Sequence, residues 1–236
     1  MVNMTGTPAK TVFLFDVDNT LLDNDRVTAD LRKHLITQVG AERANSYWEM
    51  FEAIRSELGY ADYLGALQRY RLANLHEPNL LEVSYFLLNY SFANRLYPGS
   101  LDAVEHVEQA GPTVILSDGD VVFQPHKVRR SGLHEEFAGR VLIYVHKEHE
   151  LEDVERRFPA EHYVLVDDKI RILTAVKNIW GSRVSTVFVR QGHYALDPKI
   201  LQAYPPADIT IDRISDLVGC NIDSLITADR PLHSQR

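Results

Sequence analysis

The chain has 236 residues, of which 45% are hydrophobic and 25% charged, and its formal net charge is −8. That composition allows one large α/β domain, or a core with a smaller insertion, and it excludes a fibrous or disordered chain. The negative balance argues against bulk attraction to nucleic acid or to an anionic membrane surface, although a metal ion or a group of lysines can reverse the field inside a pocket.

In chain order, Met1 to Lys10 lacks the apolar stretch of a signal peptide. Thr11-Val12-Phe13-Leu14-Phe15 is short, continuously apolar and rich in β-branched and aromatic residues, which predicts a strand buried on both faces. It runs into the polar cluster Asp16-Val17-Asp18-Asn19-Thr20, where a strand should give way to a loop. Thr28–Val39, Ala41–Leu58, Tyr60–Leu72 and Leu80–Tyr90 carry apolar residues at mixed three- and four-residue spacings. Gly40, Gly59 and Pro78 punctuate them, so four helices are predicted.

After Pro98-Gly99, strands alternate with helices. The helices are predicted at Leu101–Gln109, Val122–Arg130, Leu151–Phe158 and Lys169–Ile179. The strands are predicted at Thr113–Leu116, Arg140–Val145, His162–Val166, Arg183–Val189 and Ala207–Ile211. Alternation of this kind implies a doubly wound parallel sheet of Rossmann-like α/β class. The long helical stretch between the first two strands is then an insertion. The expected organisation is a core of residues 1–20 and 97–236 with an all-helical cap at 21–96. The tail after Leu225 is polar and is expected to fray. No apolar run approaches the roughly 18 residues of a membrane span. The single cysteine, Cys220, permits no intrachain disulfide and fits a reducing compartment. A cytoplasmic protein is expected.

Ligands of doubly wound sheets bind outside the carboxyl ends of the strands. The predicted strands deliver Asp16 and Asp18, then Ser117, then Lys147, then Asp167 and Asp168 to that edge. This inventory suits phosphate chemistry. A phosphate monoester is dianionic and repels an attacking anion, so a carboxylate nucleophile needs charge neutralisation. Mg²⁺, held by oxygen ligands such as Asp16 and Asp167, provides it. Asp16 is the candidate nucleophile. Asp18, two residues on, can protonate the leaving alcohol and later deprotonate water. Ser117 can donate to a phosphoryl oxygen, and Lys147 supplies a fixed positive charge.

Each residue alone has a plainer explanation. Asp-x-Asp could open a calcium-binding helix–loop–helix, but the required Gly at position six and Glu at twelve are Leu21 and Val27 here. Asp23-Asn24-Asp25 suits a turn and helix cap. Asp167-Asp168 alone would serve as a helix N-cap. Lys127 rivals Lys147 but lies inside a predicted helix instead of after a strand. His146 and His149 flank Lys147 without the other soft ligands a zinc site needs. His193 is expected in a loop, and Tyr47, Trp48, Tyr60 and Tyr63 are expected in the cap core or at its interface with the rest.

Taken together, the residues form a known pattern. Asp16-Val17-Asp18-Asn19-Thr20 resembles motif I of the haloacid dehalogenase-like hydrolase superfamily in its phosphatase form. Leu116-Ser117-Asp118-Gly119 resembles motif II, Lys147 the motif III lysine, and Val166-Asp167-Asp168 the paired-aspartate motif IV. The resemblance covers about Lys10 to Leu21 and Tyr97 to Gly219, and the helical insert is similar to the family's type 1 cap. It implies an aspartyl-phosphate mechanism and Mg²⁺, with Asp16, Asp18, Asp167 and Asp168 as the metal set. In the family, the second motif I aspartate binds the ion through its backbone carbonyl. Motif II departs from the phosphoglycolate-type pattern by continuing as Asp118-Gly119-Asp120. The expected substrate is a small phosphorylated metabolite. A phosphotransferase such as a mutase, and a catalytically idle ligand-binding member, remain as alternatives.

Overall fold

The structure, a computed structural model, describes residues 8–227, so the expectations for the N-terminus and for the tail fall largely outside the described residues. Six strands, β1 (Ala9–Phe15), β2 (Thr113–Asp118), β3 (Val141–Tyr144), β4 (Ala160–Asp167), β5 (Val184–Val189) and β6 (Ile209–Ile211), form one sheet in the order β3-β2-β1-β4-β5-β6. Every pairing is parallel. This is the doubly wound α/β arrangement expected from the alternation of elements. The order reverses between β1 and β4, and a crevice opens at that point, outside their carboxyl ends.

Side chains alternate across the sheet with period two, and both faces are covered. Val12 and Leu14 of β1 pack on one side with Val114, Leu116 and Leu165. Phe13 and Phe15 pack on the other with Ile115, Val164 and Val166. On the first side lie α8 (Leu151–Arg157) and α9 (Ile170–Trp180), which contribute Val154, Leu173, Val176 and Trp180. On the second lie α5 (Ser100–Glu108) and α6 (Phe123–Arg130). Burial on both faces is why these strands read as unbroken apolar runs.

Between β1 and β2 lie α1 (Asn24–Val39), α2 (Ala41–Leu58), α3 (Tyr63–Ala73) and α4 (Leu80–Asn89). The first starts earlier than its periodicity predicts because the Asp23 side chain caps it, accepting from Arg26 N at 2.8 Å. Asp62 caps α3 in the same way, accepting from Gly65 N at 2.6 Å. The chain leaves and returns to the sheet side by side, with Leu22 bridged to Leu96 and Tyr97 N donating to Leu21 O at 2.9 Å. Tyr47, Trp48 and Tyr63 are buried within this helical segment. The segment rests on α6 through Phe123, whose ring lies 5.5 Å from Tyr63 and 5.7 Å from Phe92.

Several short helices were not foreseen: α7 (Leu133–Glu136), α10 (Gly192–Leu196), α11 (Pro198–Ala203) and α12 (Ile222–Thr227). At four to six residues each they are too short to establish a period. His193 therefore lies in a helix and not in a loop. Among the described residues, no helix is long and apolar enough to cross a membrane.

Candidate active site at the carboxyl edge of the sheet

The ladder between β1 and β4 extends one step past Phe15, with Asp16 N donating to Val166 O at 3.0 Å. Asp16 is thus fixed at the crevice and 2% exposed. The chain then turns sharply. Thr20, Leu21 and Leu22 all donate to Val17 O, and Asn19 adopts φ 62°. Asparagine tolerates this left-handed conformation better than most residues. Gly192 lies against it so closely that a Cβ there would come 2.5 Å from the Asn19 Cβ.

Lys147 is in a 3₁₀ turn, Lys147–His149, just beyond β3, and it is fully buried. Its ammonium lies 2.6 Å from Asp16 Oδ1 and 2.6 Å from Asp167 Oδ2, and donates to Leu116 O at 3.2 Å. The backbone N of Lys147 donates to Asp118 Oδ1 at 2.8 Å, which locks the turn to the end of β2. Burial works against the charged ammonium. Asp16, Asp167 and Asp118 outweigh that penalty and hold it above the ordinary lysine range.

Asp167 ends β4, and its Oδ1 accepts from Lys169 N at 2.8 Å. Asp168 N donates to Thr20 Oγ1 at 3.0 Å, tying the β4 loop to the β1 loop. Burial pushes the carboxyls of Asp167 and Asp168 upward, against the pull of nearby lysines. Ser117 is buried at the end of β2 and accepts from Gln124 Nε2 at 3.0 Å.

Oxygens of Asp16, Asp167 and Asp168 all lie within 4.8 Å of one another. Among the described residues, Asp16 Oδ2 and both oxygens of Asp168 are buried without a hydrogen-bond partner. Buried carboxylate oxygens left in this state are costly unless a cation satisfies them. An all-carboxylate donor set suits a hard divalent ion such as Mg²⁺. The Asp18 carboxylate is not part of this cluster. It pairs with Lys127 Nζ of α6 at 2.7 Å, and Lys127 also donates to Asn24 Oδ1 at 3.0 Å. A metal role for Asp18 would therefore fall to its carbonyl.

The structure thus separates the two rival lysines: Lys147 meets Asp16 and Lys127 meets Asp18. Asp23 is the cap anticipated, whereas its neighbours brace the site. Asn24 Nδ2 donates to the Tyr63 hydroxyl at 3.3 Å. Asp25 Oδ1 accepts from Asn19 Nδ2 at 3.0 Å and lies 2.6 Å from His193 Nδ1, and its Oδ2 accepts from His193 N at 2.8 Å. Burial alone would raise the Asp25 carboxyl, but His193 and Asn19 hold it below its usual range.

Lys169 was not anticipated. It follows the paired aspartates, and Asp16 and Asp168 hold its ammonium above the usual lysine range despite the opposing effect of burial. A lysine directly after Asp-Asp was the available signal. Lys169 and Asp118 line a cavity of about 520 Å³ whose other walls include the end of α2. Burial also pushes the Asp118 carboxyl up, opposed by Lys147 and Lys169. At the end of α2, Gly59 (φ 81°) abuts the ring next to Lys147, since a Cβ there would come 2.3 Å from His146 Cε1.

A comparison with curated proteins gave no match. Among solved structures, a haloacid dehalogenase-like hydrolase from Burkholderia xenovorans LB400 is 61% identical, covers 91% of this chain and 100% of its own, and superposes with a TM-score of 0.87. The magnesium-bound hydrolase YfnB from Bacillus subtilis is 17% identical, with 90% of this chain and 98% of its own covered at a TM-score of 0.58. An L-2-haloacid dehalogenase from Xanthobacter autotrophicus with chloropropionic acid covalently bound is 20% identical, with 89% and 97% covered at 0.58. These last two show a shared fold alone. The model of the haloacid dehalogenase-like hydrolase family matches residues 10–179. With most of the chain matched in sequence and a relative this similar along its whole length, the protein belongs to the haloacid dehalogenase-like hydrolase family.

Proposed function

We propose that this hydrolase is a Mg²⁺-dependent phosphatase of small phosphorylated metabolites, with Asp16 as nucleophile. The observation that carries the reading is the state of Asp16. One of its oxygens is held by Lys147 at 2.6 Å, and the other is buried, unpartnered and beside the unpartnered carboxylate of Asp168. When bound, Mg²⁺ would neutralise phosphoryl charge, with Asp16, Asp167 and Asp168 as its side-chain ligands. The Bacillus hydrolase that shares this fold is magnesium-bound.

In the first step an Asp16 oxygen attacks phosphorus, the phosphorus–oxygen bond to the leaving group breaks, and Asp18, entering the step protonated and turned from its Lys127 pair, gives the alkoxide that proton. In the second, Asp18 takes a proton from water as the water oxygen attacks phosphorus. The acyl-phosphate bond breaks and Asp16 is restored. Lys147 keeps the attacking carboxylate oriented throughout. Ser117 offers its hydroxyl to a phosphoryl oxygen. Helices α1 to α4 act as a lid over the crevice and exclude bulk water. The cytoplasm is taken as the compartment, on the strength of a chain with a single thiol, Cys220.

The test is phosphate release from a panel of metabolite phosphates with and without Mg²⁺. Magnesium-dependent release supports the reading. Isomerised sugar phosphate with little free phosphate would replace it with a mutase. Release of chloride from 2-chloropropionate, with no phosphate from any ester, would replace it with a dehalogenase. Binding without turnover would leave a catalytically idle member.

A further inference from the structure

The cavity at the inner end of which Lys169 and Asp118 lie is bounded by two separate parts of the chain. One wall is the end of α2 and the residues after it. The other is the start of α9 together with α10 and α11. At about 520 Å³ it has room for more than a phosphoryl group and falls in the size range of small-molecule sites. Asp118 accepts from the backbone of Lys147 and Lys169 feels the charge of Asp16, so the cavity adjoins the site, and if Asp16 takes the phosphoryl group the leaving alcohol can extend into this space.

Planar side chains are prominent in its lining. Tyr60 comes from the helical segment and Tyr194 and Tyr204 from the core, and the guanidinium planes of Arg55 and Arg171 line the same space. The three tyrosines are half-buried. The charged groups among these walls are already committed. Arg55 pairs with Glu52 at 2.6 Å and also donates to the Tyr194 hydroxyl, bridging the helical segment to α10. Arg171 pairs with Glu148 at 2.6 Å, and the Lys169 ammonium sits 5.5 Å from the centroid of the Tyr194 ring. Glu52 and Asp118 add negative charge to the lining. An anionic leaving group would have to break these pairs and face those carboxylates. A flat, uncharged ring would not, because it can stack on the Tyr60 and Tyr204 rings and on the guanidinium planes without breaking a pair.

We propose that the cavity selects phosphate monoesters whose leaving alcohol carries a flat ring, with Tyr60, Tyr194 and Tyr204 as the specificity-determining residues. The inference rests on the phosphatase reading above.

The test compares benzyl phosphate with cyclohexylmethyl phosphate on the Mg²⁺-loaded full chain. Both are esters of primary alcohols bearing a six-membered ring, and the cyclohexyl compound is the more hydrophobic, so burial alone favours it. The corresponding phosphonates, which cannot be hydrolysed, are titrated by calorimetry alongside. The expected result is a benzyl preference of about tenfold in kcat/KM and in phosphonate affinity, since an aromatic contact contributes roughly threefold to tenfold. The preference should fall below about threefold in Tyr60→Leu/Tyr204→Leu and persist in Tyr60→Phe/Tyr204→Phe. An equal or reversed ratio in the wild type overturns the proposal, whether or not the leucine variant folds. Retention of the preference in a folded leucine variant does so too, as does a larger kcat/KM for 2-phosphoglycolate than for either ester. If neither ester is hydrolysed while another phosphate of the metabolite panel is, this proposal falls and the phosphatase reading stands. If no ester of the panel is hydrolysed, the phosphatase reading fails, and the phosphonate titration still decides what the cavity selects.

Discussion

Lys127 Nζ lies 2.7 Å from Asp18 Oδ1 and 2.8 Å from Oδ2, so one ammonium from α6 holds both oxygens of the second aspartate of the first loop. The two partners are unequally buried, with the lysine side chain 1% exposed and the aspartate 21%. Removing one is therefore not equivalent to removing the other. Asp18→Ala strands a buried cation, with Asn24 Oδ1 its remaining hydrogen-bond acceptor among the described residues, and should cost roughly 3–5 kcal/mol. Lys127→Met leaves a carboxylate that water can reach, and should cost only about 1 kcal/mol. Thermal or urea melts of both variants check this, and equal losses would refute the asymmetry.

Asp16→Asn should lower turnover of benzyl phosphate by at least about a thousandfold. The fold should survive, because Lys147 keeps Asp167 at 2.6 Å and Leu116 O at 3.2 Å. Lys147→Ala should behave differently. It leaves Asp16 and Asp167 buried without their counter-charge, a loss of roughly 3–5 kcal/mol that should appear as poor folding before any kinetic effect is read. Phosphate-release assays paired with melting curves distinguish the two. Near wild-type activity in Asp16→Asn would remove the nucleophile assignment.

Mg²⁺ should raise the melting temperature. At about a hundredfold excess over Kd, a ligand that binds only the folded state adds roughly 2.7 kcal/mol. For a chain of this size that is about 5–10 °C. The response should shrink sharply in Asp168→Asn, where one of the unpartnered carboxylates is gone. In chelator, by contrast, Asp168→Asn should melt at or above wild type, because burial already disfavours the charged carboxyl it replaces. Differential scanning fluorimetry with MgCl₂ and with EDTA measures both effects.

Asp208 staples β6 to β5. Its Oδ2 accepts from Thr186 N at 2.8 Å, Thr186 Oγ1 at 2.9 Å and Lys177 Nζ at 2.9 Å. Burial acts to raise the carboxyl, but these bonds and the Lys177 charge hold it below the usual carboxylate range. A depressed carboxyl stabilises the fold above its unfolded pKa, and the contribution is lost as pH falls through the folded value. Asp208→Asn should therefore cost roughly 1–3 kcal/mol at pH 7. The gap to wild type should narrow only below about pH 4. Urea melts across pH 3–7 test this, and a gap that widened on acidification would contradict it.

Much of the frame was legible before any coordinates. Thr11-Val12-Phe13-Leu14-Phe15 announced a doubly buried strand because a sheet covered on both faces admits no polar alternation. The alternation after Pro98 announced the parallel sheet. Helices α7, α10 and α11 were not legible, since four to six residues cannot establish a helical period. The roles of His193 and Tyr194 depend on these short helices and on partners, Asp25 and Arg55, that lie far away in the chain.

The sequence by itself determined which residues reach the carboxyl edge: Asp16, Asp18, Ser117, Lys147, Asp167 and Asp168 each end or follow a strand, and strand periodicity is a local property. Which ammonium meets which carboxylate was decided only by tertiary structure. Lys127 and Lys147 are chemically identical in a list of residues, and only the packing of α6 against the first loop, and of the turn after β3 against β1 and β4, assigns Asp18 to one and Asp16 with Asp167 to the other. Electrostatic pairing decays within a few ångströms in the folded chain, and separation along the sequence carries no measure of that distance.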